Sequence, residues 1–283
     1  MTILSDMFAG LRAENRAALV GYLPAGYPDL AASKDLYAAI IEGGPAGGCD
    51  LVEVGLPFSD PVLDGPVIQH AAGRALANGF RVRDTFDIVE SVTSRGGRAV
   101  VMTYFNPVLA YGVDAFARDL AAAGGAGVIT PDLIVDEAGP WLDAVHTYGI
   151  DPIFLVAPSS SAERIALTAA AGGGFVYAAS VMGVTGARDQ VSSAAPDLVA
   201  RCRTVTDLPI GVGLGVRTGE QARQIAQYAD AVIVGSAFLS AYADGGRAAA
   251  AALAGDLAAG VRAAIRADQR TNSAPDSSDF VVR

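Results

Sequence analysis

Glu53 is the first residue that calls for a chemical explanation. It lies inside Leu51-Val52-Glu53-Val54-Gly55, an apolar, β-branched run of the kind that forms a buried strand. A strand covered on both faces reads as almost continuously apolar, so a carboxylate in its middle bears a desolvation cost that usually signals a task. The residues that follow, through Pro57, Pro61, Gly65 and Pro66, break the run and stiffen a long turn. That turn carries Asp60 and Asp64. Asp60, beside Pro61, fits a turn-former as well as a working group, whereas Asp64 can overlook the same pocket as Glu53. Two carboxylates in unequal surroundings are the ordinary equipment of general acid–base catalysis.

A second cluster is made of glycines. Met182-Gly-Val-Thr-Gly186, Gly211-Val-Gly213-Leu214-Gly215 and Gly235-Ser236 follow three successive apolar runs. Glycines there let backbone N–H groups approach an anion, and a following helix adds the positive end of its dipole. Together they point to a phosphate seat. Arg188 and Arg217 stand nearby and read as solvated side chains. Other chemistries lack their residues. The only lysine, Lys34, falls in the first helical segment after the first strand, away from any strand end, which argues against a Schiff base. The two histidines, His70 and His146, lie in helical patterns, which argues against an imidazole-bound metal. What remains is carboxylate acid–base work on a phosphorylated substrate. Tyr22 and Tyr177, at strand ends, can line a cavity for an aromatic group or simply fill core. Read from the residues alone, a sugar-phosphate isomerase and a non-catalytic subunit that switches a partner enzyme both stay open.

The elements that must hold these groups are legible as eight apolar segments, at 18–23, 50–55, 99–104, 127–130, 152–156, 175–179, 210–214 and 231–235. Helical patterns separate them, including 29–42, 82–94, 113–123, 137–148, 162–171, 196–204 and 219–228. Such alternation predicts a parallel sheet, and eight units in this length predict a closed (β/α)8 TIM barrel, an α/β fold, with an extra N-terminal helix. In that fold the working groups gather at the carboxyl ends of the strands. A single domain is expected over 1–267, followed by a polar, disordered tail over 268–283.

The 283 residues carry a net charge of −10, which argues against nucleic acid or an anionic membrane as the main partner. No apolar run reaches membrane-spanning length, and the first fifteen residues read as an amphipathic helix rather than a signal peptide. Cys49 and Cys202 form neither a metal-spacing motif nor a disulfide framework, so a cytoplasmic setting is expected.

At Glu53-Val-Gly-Leu-Pro-Phe-Ser-Asp-Pro-Val-Leu-Asp-Gly-Pro66 the chain closely resembles the α subunit of tryptophan synthase. The resemblance continues, in order, through Gly21-Tyr-Leu-Pro-Ala-Gly-Tyr-Pro28, Met102-Thr-Tyr-Phe-Asn-Pro107, Thr130-Pro-Asp132, Met182–Gly186, Gly213-Leu-Gly215 and Gly235-Ser236, covering about residues 5 to 262. It implies cleavage of indole-3-glycerol phosphate to indole and glyceraldehyde 3-phosphate, with Glu53 and Asp64 catalytic. It further implies that Tyr177 lines the active site, that Thr185 is a lid residue touching the aspartate, and that Gly186, Gly215, Gly235 and Ser236 cradle the phosphate. Gly213 and Leu214 belong to the same stretch of the pocket, Leu214 standing where some members carry Phe. Tyr22 stands where the family most often places Phe against the indole. No cofactor is implied for this chain. Pyridoxal phosphate is expected only in a partner, the β subunit of an α2β2 assembly, with Pro107 and neighbouring loop residues as candidate contacts where they are exposed.

Overall fold

The computed structural model describes residues 1–179, 194–213 and 215–266. Numbered in chain order, its elements begin with α1 (Ile3–Ala13), β1 (Ala18–Pro24), α2 (Leu30–Glu42), β2 (Leu51–Gly55), α3 (Pro66–Ala77) and α4 (Val82–Thr93). Next come β3 (Ala99–Met102), α5 (Phe105–Tyr111), α6 (Val113–Ala122), β4 (Gly127–Ile129), α7 (Gly139–Thr147), β5 (Asp151–Ile153) and β6 (Leu155–Val156). The chain then runs through α8 (Ala162–Ala171), β7 (Val176–Ala179), α9 (Ala194–Arg203), β8 (Ile210–Gly213), α10 (Gly219–Ala226), β9 (Ala231–Val234) and α11 (Ser236–Arg262).

All strand pairings are parallel, in the order β5-β4-β3-β2-β1-β9-β8-β7-β6. Only Phe154 separates β5, which pairs with β4, from β6, which pairs with β7. The Phe154 carbonyl accepts from the Tyr177 amide at 3.1 Å. The two pieces thus act as one stave, giving the eight-stave (β/α)8 barrel that the alternation predicts.

Side-chain parity divides the core in two. Leu19, Val52, Val54, Val101, Val128, Val212 and Val232 face outward and pack under the helices. Ala18, Val20, Leu51, Val100, Ile129, Ile153, Phe175, Ala231 and Ile233 face inward. Helix α1 joins this inner group through Leu4, Met7, Phe8 and Leu11, spaced to form one helical face. It is started by a reciprocal cap, Thr2 Oγ1 accepting from the Ser5 amide and Ser5 Oγ from the Thr2 amide. Phe8 sets its ring against Phe175, with centroids 5.9 Å apart. Burying such apolar side chains contributes about 1.5–3 kcal/mol each. The helix therefore plugs one mouth of the barrel, the end where the strands begin, and leaves the carboxyl ends of the strands for chemistry.

The condition of exposure set for Pro107 is not met: it is buried in the first turn of α5. A helix start tolerates proline because the first amides have no intrahelical acceptor to lose. The chain therefore leaves its strand at Met102, two residues earlier than the apolar pattern suggests. No described helix is long and apolar enough to cross a membrane, and the expected tail, 268–283, lies outside the described residues.

Candidate active site

Glu53 occupies the middle of β2, paired in register with Tyr22 on β1 and Val100 on β3. Leu51 points into the barrel while Val52 and Val54 point out, so parity directs Glu53 inward. It is 0% exposed, and among the described residues neither carboxyl oxygen has a hydrogen-bond partner. Burial alone raises its pKa from 4.5 to about 8. A carboxyl group in such a place is held neutral at neutral pH and has a proton to give.

Asp64 stands on the loop between β2 and α3 and is half-buried, more open to water than Glu53. Burial raises its carboxyl as well. The loop is tied down on both sides. Gln69 Nε2 donates to the Asp64 carbonyl at 2.7 Å, and Gly65 with Pro66 starts α3 immediately afterwards. On the other side the Tyr104 hydroxyl accepts from the amides of Val62 and Leu63, at 3.0 and 2.9 Å. Asp60 is exposed and accepts from Ser59 Oγ at 2.7 Å, a turn-former rather than part of the pocket.

Two tyrosines bound the cup. The Tyr22 ring crosses from the end of β9 to the end of β2. A Cβ on Gly235 would lie 3.1 Å from its Cδ1, and a Cβ on Gly55 would lie 2.5 Å from its hydroxyl. Burial pushes the Tyr22 phenol well up, and the charges of Asp64 and Glu53 add to the shift. Tyr177, on β7, tilts over Phe175 with centroids 6.4 Å apart. A Cβ on Gly213 would lie 2.9 Å from the Tyr177 hydroxyl. Burial raises that phenol too, with Glu53 adding to it. Glu53 therefore acts electrostatically on tyrosines of both β1 and β7, two strands separated by β9 and β8. Met102 and Leu155 join Tyr177 in closing over the inner core.

Gly235 caps α11 and Ser236 opens it, which aims that helix's N-terminus at the strand ends. Gly215 adopts a φ of +68°, which favours glycine, in the loop after β8. Backbone amides in these places suit a phosphate ester. Thr185, Gly186, Leu214 and Arg188 lie outside the described residues. Arg217 is exposed. Lys34 stands on α2, outside the ring of strands, and His70 and His146 are exposed on α3 and α7. Among the described residues no group of three or more His, Cys, Asp or Glu is arranged to hold a metal ion. Tyr104 and Phe58, which brace the Asp64 loop, are absent from the sequence-derived site. Their only signal was a place within matching motifs, because the contact spans some forty residues of chain.

Comparisons with known proteins identify the family. A family model described as tryptophan synthase alpha chain matches residues 8–263. The tryptophan synthase alpha chain of Mycolicibacterium paratuberculosis is 63% identical over 259 residues, 92% of this chain and 94% of that relative. That of Nocardia farcinica is 62% identical over 261 residues, covering 92% and 96%. Among solved structures, a Mycobacterium tuberculosis tryptophan synthase chain superposes with a TM-score of 0.87 at 60% identity, covering 92% of this chain and 98% of that one. An Aquifex aeolicus structure at 34% identity gives 0.85, covering 93% and 100%. The chain belongs to the tryptophan synthase alpha chain family.

Proposed function

We propose that Glu53 and Asp64 divide the acid–base work by which this alpha chain, a carbon–carbon lyase, cleaves indole-3-glycerol phosphate. The observation that carries the reading is Glu53, a fully buried carboxyl aimed into the barrel with neither oxygen hydrogen-bonded among the described residues. The substrate supplies its own electron sink. Glu53 gives its proton to indole C3, forming an indoleninium. The C3–C3′ bond then breaks and its electrons return to the ring, releasing indole. The C3′ hydroxyl gives its proton to the Glu53 carboxylate and becomes the aldehyde of glyceraldehyde 3-phosphate, which restores the starting protonation. Asp64, on the more open side, holds the N1–H while positive charge develops there.

Tyr22 and Tyr177 flank the ring, and the amides around Gly213, Gly215, Gly235 and Ser236 hold the phosphate. By resemblance to the family, Thr185, Gly186 and Leu214 are assigned to substrate binding as well. The indole passes to a β subunit, which carries the pyridoxal phosphate. Exposed apolar side chains follow three consecutive strands, Val62 at 72% exposure, Leu109 at 57% and Ile134 at 57%, and offer that subunit a surface at the rim of the pocket. Both cysteines are buried free thiols, in keeping with a reducing cytoplasm.

The test is turnover of indole-3-glycerol phosphate to indole by the wild-type chain and by Glu53→Gln, with and without a β subunit. Loss of cleavage in a folded variant is expected. Near-normal cleavage by Glu53→Gln would remove Glu53 from the chemistry.

A further inference from the structure

Glu53 is fixed by a strand, whereas Asp64 rides on a loop without regular structure. Something else must define where its carboxylate sits. The downstream side is set by Gln69 and the start of α3. The upstream side rests on one oxygen: two consecutive amides, Val62 and Leu63, converge on the Tyr104 hydroxyl. The same ring packs against Phe58, with centroids 5.3 Å apart, so Tyr104 grips the loop at two places.

Tyr104 is itself firmly held. It is buried, at 7% exposure. Its carbonyl accepts from Thr103 Oγ1 at 2.8 Å, and the next amide, Phe105, donates to both oxygens of Asp132, at 2.9 and 3.1 Å. Burial first, then the carboxylates of Asp64 and Asp132, raise the phenol's pKa, while the two loop amides pull the other way. The ring therefore stays a neutral phenol whose oxygen is free to accept.

We propose that Tyr104 is a positioning residue for the cleavage reaction, its hydroxyl fixing the 62–63 backbone so that Asp64 faces the substrate. Two amides sharing one acceptor restrain successive peptide planes, and that restraint passes directly to the next residue, Asp64. A misplacement of about 1 Å at a charge-stabilising group can cost on the order of 100-fold in rate. This inference rests on the role assigned to Asp64 above.

The experiment uses Tyr104→Phe, which keeps the ring and its contact with Phe58 but deletes the acceptor, alongside Asp64→Asn. With indole-3-glycerol phosphate, Tyr104→Phe should lower kcat roughly 10- to 100-fold and change KM by less than about twofold. Amide hydrogen exchange should quicken at Val62 and Leu63 by about tenfold or more and stay unchanged in β1 and β2. Unchanged kcat, a loss confined to KM, or unaltered exchange at these two amides would overturn the positioning role. Normal turnover in Asp64→Asn would instead sink the assignment of Asp64, so the two failures are told apart.

Discussion

The carboxylates at the two ends of the barrel are treated differently. Where the strands begin, Asp230 and Asp50 are fully engaged, and Asp151 leaves its Oδ2 without a partner among the described residues. Asp230 accepts from Arg203 at 2.9 Å, from Arg266 at 2.7 Å and from the Ile210 amide at 3.0 Å. Asp50 accepts from Arg16 at 3.0 Å and from the Leu19 amide at 2.9 Å. Where the strands end, Glu53 is more deeply buried than either, yet its oxygens bond to nothing among the described residues. Partners make the first pair structural: they join segments distant in sequence and satisfy their own desolvation. Glu53 adds nothing to the fold that an apolar residue would not, and it carries a destabilising burial cost. Its presence is accounted for by the acid–base role proposed for it.

The contrast is broken most sharply by exchanging each acid for its amide. Glu53→Gln should lower turnover by roughly 10³-fold or more while leaving the barrel folded, as read by indole release and circular dichroism. Asp64→Asn should cost about 10²–10³-fold by loss of charge stabilisation. Asp230→Asn should do the reverse: activity per folded molecule unchanged, but stability lower by about 2–4 kcal/mol in urea titrations, because Arg203 and Arg266 lose the negative charge they share and one of its two acceptor oxygens.

The pH dependence of stability sharpens the comparison. Glu53 has a folded pKa of about 8 against 4.5 unfolded. Between those values the folded state holds the proton that the unfolded state releases. Its contribution is therefore fully present below pH 4.5, falls as pH rises to 8 and is level above. Glu53→Gln abolishes that dependence. At pH 8.5 the variant should exceed the wild type by on the order of a few kcal/mol, with little difference near pH 4. A difference of the same size at both pH values would contradict burial of an unpaired acid. Smaller effects should come from the tyrosine side of the cup. Gly213→Ala places a methyl 2.9 Å from the Tyr177 hydroxyl and should raise KM by about 3- to 10-fold. Lys34→Met, outside the strand ring, should leave turnover within about twofold of wild type.

Much of this contrast is legible in the amino-acid sequence, for physical reasons. Strands buried on both faces must be apolar, so the barrel announces itself in eight short runs, and one acid among them is conspicuous. The glycines at 213 and 235 are likewise visible as a cluster. The reason for them is not: each leaves room for a tyrosine ring, a relation set by barrel closure. Tyr104 is invisible for a similar cause, since a phenol accepting from distant amides leaves no periodic trace. Helix α5 is not among the helical patterns read from the sequence; it carries Pro107 in its first turn, where a proline costs a helix almost nothing. Asp60 and Asp64, four residues apart on one turn, are separated in role only by the structure, which exposes the first and half-buries the second.

The most direct measurement is a titration of the Glu53 carboxyl itself. Carbon-13 labelling of glutamate, with the signal assigned by its loss in Glu53→Gln, should give a midpoint near 8. A midpoint near the ordinary 4.5 would mean that the acid is solvated or paired in solution, and the account of a buried, proton-bearing catalyst would be contradicted.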